Sequence, residues 1–72
     1  MKRWEKHGDI WRLRVGEWTR ALLWYEIQYW ALVDLGNRQW MRLDGPNRQT
    51  MMRECERLVK EVHGDTGRLG RD

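Results

Sequence analysis

At 72 residues the chain has room for one domain and one modest core. A domain of this size buries only about 60% of its extended surface on folding, and Cys55, the only cysteine, excludes an intramolecular disulfide as reinforcement. The net charge of +3 comes from 14 basic and 11 acidic residues spread without a strongly basic block, unlike the Lys/Arg stripe of most nucleic-acid binders.

Residues 1–8 carry charges with no apolar stretch behind them and read as an N-terminal arm, not a signal peptide. The longest uncharged stretch after residue 20, Ile27 to Val33, falls far short of the roughly 20 residues that span a bilayer. A cytoplasmic location is therefore expected, and a lone thiol fits a reducing compartment.

The folded domain is expected over residues 9–64. In Asp9–Val15, Trp11, Leu13 and Val15 alternate with Arg12 and Arg14, as in a half-buried strand. Gly16-Glu17 then offers a turn or bulge. From Trp18 to Leu35 the odd positions are almost all apolar and the even ones mixed, which predicts strand. Eighteen residues exceed a usual strand, so a reversal is expected near Glu26–Gln28, although no Gly or Pro marks it. A helix over the same stretch is the rival, but its polar residues scatter around the helical wheel. Gly36-Asn37 predicts a hairpin turn into a further strand, Gln39–Leu43.

Asp44-Gly45-Pro46-Asn47 reads as a turn, with Asn47 or Thr50 placed to cap a helix over 48–63. Met51, Cys55, Leu58 and Val62 form its apolar stripe, with Met52 and Val59 beside them. Arg53, Glu56, Arg57, Lys60 and Glu61 lie opposite, with Glu56 and Lys60 at ion-pair spacing. Gly64 is the expected helix terminator. Residues 65–72 read as a disordered tail. The expected fold class is therefore α+β, an antiparallel meander of three to four strands followed by one C-terminal helix packed on one sheet face.

That arrangement carries a functional expectation. The helix covers one sheet face, naturally the odd-position set with Met41 and Leu43. The other face then presents Trp18, Arg20, Trp24, Trp30, Arg38, Trp40 and Arg42. Trp and Arg are the residue types most enriched at binding hot spots, so these seven are the candidate binding residues.

Catalysis is not expected. The chain has no serine, and Cys55 sits on the inner stripe of the predicted helix. His63 lies eight residues further on, about 12 Å along the axis, and reads as a favourable residue at a helix C-terminus. His7, His63 and Cys55 lack metal-ligand spacing, Glu54 and Glu56 read as solvated acids, and the glycines of the tail form no phosphate loop. No metal or other cofactor is expected.

The expectation is a small non-enzymatic protein-binding module, acting on a protein partner or by self-association, with no membrane partner. Length and composition are similar to those of small phage- or plasmid-borne inhibitors of host machinery, anti-CRISPR proteins among them. The alternative is a nucleic-acid binder using the same face, arginines on phosphates and tryptophans on bases. A three-stranded sheet plus one helix is similar in outline to small DNA-binding domains at the ends of phage integrases, a likeness of architecture in which no motif takes part.

Overall fold

A computed structural model describes residues 2–64 of the chain. Five antiparallel strands run β1 (Lys2–His7), β2 (Ile10–Val15), β3 (Trp18–Glu26), β4 (Gln28–Gly36) and β5 (Gln39–Gly45), and α1 (Arg48–His63) follows. The sheet order is β1-β2-β3-β4-β5, so every strand pairs with its sequence neighbour. The α+β class holds, but the strands number five and not three to four. The additional strand is β1, where the sequence suggested an arm. Its charged residues hide its strand character because only Trp4 and Glu5 are even partly buried, as suits an edge strand carrying few apolar residues. The tail over 65–72 lies outside the described residues.

Local chemistry sets the reversals. Gly8 and Gly16, both at φ 63°, open the two-residue turns between β1, β2 and β3, and a first turn residue with positive φ favours glycine. Asn37 and Arg38, at φ 53° and 63°, form the turn between β4 and β5, one residue later than the expected Gly36-Asn37. Both central residues of a tight hairpin turn take positive φ when it matches the strand twist.

The β3–β4 reversal falls within the expected Glu26–Gln28, by an unexpected device. Glu26 pairs with Gln28, so the chain turns over the single residue Ile27, at φ 70°. A β-branched residue there is a genuine outlier. Ile27 is also 92% exposed, so burial against the described residues does little to offset the strain.

The core lies between α1 and one face of the sheet. Leu13, Val15, Ala21, Leu23, Ala31 and Val33 are completely buried, as are Cys55 and Val59 of the helix, and Met51 nearly so. These sheet residues alternate along the strands and face each other across them, with Leu13 opposite Ala21 and Ala21 opposite Val33. The helix starts and stops as its ends dictate: the Asn47 side chain accepts a hydrogen bond from Thr50 N at 3.0 Å. Gly64, at φ 75° and ψ −169°, donates its N–H to Lys60 O, a conformation essentially confined to glycine. Gly45 lets the helix approach closely, since a Cβ there would sit 3.1 Å from Met51 Sδ.

The stripe buried by α1 is Met51, Cys55, Val59 and His63, rotated from the expected row so that Leu58 and Val62 are only half-buried. Glu56 does not serve a pair with Lys60. It accepts a hydrogen bond from Trp4 Nε1 at 2.7 Å, tying α1 to the edge strand, so it is no purely solvated acid. Arg57 instead bridges Glu54 and Glu61 on the exposed side.

Because Ile27 is strained and buries almost nothing, Ile27→Asn should raise stability. Relief of a left-handed β-branched residue is worth about 1 kcal/mol, and Asn tolerates positive φ. The expected rise in melting temperature is about 4–8 °C for a domain of this length, read by thermal circular dichroism. An unchanged or lower value would show that the turn carries no such strain.

Candidate functional site

The sheet face away from the helix is covered by nothing among the described residues. Its side chains follow from the register. One row runs Ile10, Trp24, Trp30 and Asp44, and the next runs Glu5, Arg12, Leu22, Leu32 and Arg42. Ile10, Leu22, Trp24, Trp30 and Leu32 thus form an apolar centre across β2, β3 and β4, with Arg12 and Arg42 on either side. Ile10 is 41% exposed, while the other four are half-buried. The guanidinium of Arg42 lies 5.6 Å from the Trp30 ring centroid, and Trp30 Nε1 donates to Glu26 O at 3.1 Å. Arg12 is exposed and makes no ion pair among the described residues. On β1, Glu5 gathers His7, Arg3 and Arg14 around its carboxylate. Hydrogen bonds with His7 and Arg3 hold that carboxyl below the usual range.

Four of the seven expected residues, Trp24, Trp30, Trp40 and Arg42, come together on this face by register. The other three do not join them as free contacts. Arg20 is 9% exposed and bonded to Asp34 Oδ2 at 2.6 Å, so it is a structural cation. Its extra position in the β2–β3 pairing is a bulge, which shifts Trp18 out of step and sets it opposite Val15, with the Arg20 guanidinium 4.8 Å from its ring. Arg38 occupies the β4–β5 turn. Ile10 and Arg12 join the face through the alternation of Ile10, Arg12 and Arg14 with Trp11, Leu13 and Val15 along β2, and Leu22 and Leu32 through the even-position parity of β3 and β4.

The corner beside Arg20 is held by charge and hydrogen bonds. Asp34 accepts from Arg20 and, through Oδ1, from Gly36 N at 2.8 Å. His63, 1% exposed rather than at an open helix end, donates from Nε2 to Asp34 O at 2.7 Å. A carbonyl only accepts, so the bond assigns the proton to Nε2. Burial raises the Asp34 pKa, but the Gly36 N–H and Arg20 outweigh it and leave the carboxyl below its usual value.

Burial pushes the Cys55 thiol up to about 12, so it carries little thiolate at neutral pH. Among the described residues no three His, Cys, Asp or Glu stand where they could hold a metal ion, and no helix is long and apolar enough to cross a membrane. No protein-family model matches the chain, and no curated protein or solved structure is significantly similar to it.

Asp34→Asn should remove a carboxylate charge from beside the Arg20 guanidinium and cost about 3 kcal/mol, the lower end of the penalty for breaking a buried pair. Folded Asp34 releases its proton more readily than the unfolded residue. Its stabilisation is therefore present above the unfolded pKa of about 3.9 and lost as pH falls through the lower folded value. Urea denaturation from pH 7 to pH 2 should show a shallower acid limb in the variant. An acid limb identical to that of the parent would remove Asp34 from this role.

Proposed function

We propose that the chain is a non-enzymatic protein-docking module that uses the open sheet face. The observation that carries this reading is the apolar centre of Ile10, Leu22, Trp24, Trp30 and Leu32, uncovered by the described chain and flanked by Arg12 and Arg42. An apolar middle with an aromatic and arginine-bearing margin is the anatomy of protein interfaces, and a contiguous apolar patch of this kind is unusual on a surface that meets only water. The tip at Ile27 lies just beyond the Trp24–Trp30 pair and adds an exposed aliphatic side chain held there at a conformational cost.

Protein is favoured over nucleic acid because the rings are poorly placed for stacking. Trp24 and Trp30 are half-buried, and Arg42 already lies over Trp30, whereas bases stack on open aromatic faces. Inhibition of a host protein complex, in the manner of small phage- or plasmid-borne inhibitors, is one use of such a surface. A second copy of the chain is another occupant the same chemistry suits.

The test is affinity capture from nuclease-treated lysate, with the parent chain beside Arg12→Glu/Arg42→Glu on the face and Lys60→Glu on the helix. A partner held by the parent and by Lys60→Glu, and lost about tenfold or more from the double variant, is the expected outcome. Sedimentation of the purified chain separates self-association from a foreign partner. Binding that disappears with nuclease, or that falls steeply with salt on a labelled oligonucleotide, would transfer the face to nucleic acid.

A further inference from the structure

A second surface lies on the helix side of the sheet, at the margin that α1 leaves open. Lys6 of β1 and Arg48 at the start of α1 both reach the ring of Trp11 on β2, at 5.4 Å and 5.1 Å from its centroid. Neither makes an ion pair among the described residues, whereas Arg3, Arg14, Arg20 and Arg57 each sit against a carboxylate. Two cations from distant parts of the chain thus converge on one indole. Beside them Tyr25 and Tyr29 meet edge to face, with ring centroids 4.9 Å apart, and Tyr25 is 62% exposed. With Asp9 these residues line an open cleft of about 360 Å³.

From this geometry we infer that the cleft binds a nucleoside phosphate, with Lys6 and Arg48 on the phosphate and the tyrosine rings against the base. The two cations supply point and forked donors for phosphate oxygens. The aromatic wall supplies a π-surface that a bare inorganic anion does not use, which selects a ligand with a flat ring. Asp9, also in the lining, brings an acceptor suited to a sugar hydroxyl. The cleft is at the small end of ligand sites, so it takes one nucleotide unit, either free or as part of a single strand. It stands on the opposite side of the sheet from the proposed docking face and shares no residue with it.

The experiment is a ¹H–¹⁵N NMR titration of the whole chain with adenosine monophosphate, adenosine, inorganic phosphate, phenyl phosphate and a short single-stranded oligonucleotide. Saturable shifts of the Trp11 indole N–H and the Arg48 amide with adenosine monophosphate are expected. Adenosine and inorganic phosphate should each bind about tenfold or more weakly, as should adenosine monophosphate to Lys6→Ala or Arg48→Ala. Both substituted side chains are exposed, so amide dispersion should survive and report an intact fold. An oligonucleotide that binds tighter while shifting the same signals identifies the strand as source. Equal or weaker binding identifies the free nucleotide. The proposal is overturned by the absence of saturable shifts, by affinity that neither variant alters, or by phenyl phosphate binding as tightly as the nucleotide.

Discussion

Everything in this molecule depends on a single helix covering a single face of a sheet. Met51, Cys55, Val59 and His63 form one row along α1 and meet Leu23, Ala31, Val33 and their neighbours. With no disulfide in the described chain and so few residues, burial on this one contact is the main source of stability. The helix lies chiefly over β3–β5 and reaches β1 through the Trp4–Glu56 bond. Gly45 sets the distance at one end of that contact.

At the far end the same contact is completed by polar groups. Arg20 and Leu35 are the extra residues at the two interruptions of strand register, and Asp34 on β4 immediately precedes the second. Asp34 gathers the Arg20 guanidinium and the Gly36 N–H on its carboxylate, and His63 on its carbonyl. A bulge turns side chains away from strict alternation and sets Trp18 opposite Val15, while Arg20 at the bulge is buried against Asp34. The fold thus spends a cation, an acid and an imidazole on fixing one corner, and none of the three remains for binding.

Two surfaces are left over by this economy, and they differ in chemistry. The open sheet face is apolar at its centre and cationic at its sides, the arrangement proteins use for other proteins. The margin beside Trp11 is aromatic, with two cations that make no ion pair among the described residues and one acid, Asp9, lining the same cleft. Ile27 belongs with the first surface by position. Its strained, exposed side chain is a case where the local rule is broken without a local gain, and such departures cluster at functional places.

Much of the architecture is legible in the residues alone. Asn47, the spacing of Met51, Cys55, Leu58 and Val62, and Gly64 bound the helix over 48–63 because capping and periodicity are local properties, although the row actually buried is Met51, Cys55, Val59 and His63. Alternation in 9–35 declares strands for the same reason, and even the reversal near Ile27 follows from strand length. What sequence could not show is where charged residues end up. Lys2–His7 reads as an arm because an edge strand needs backbone pairing and hardly any apolar side chains. Arg20, Arg38 and Arg42 look alike in the chain, yet the first is buried against Asp34, a turn takes the second, and only the third borders the open face. Lys6, Trp11 and Arg48 are separated by up to 42 positions and meet only when the hairpin folds beside the helix start. Short-range geometry is written in neighbouring residues, whereas the environment of a charge is decided by whatever the whole sheet brings against it.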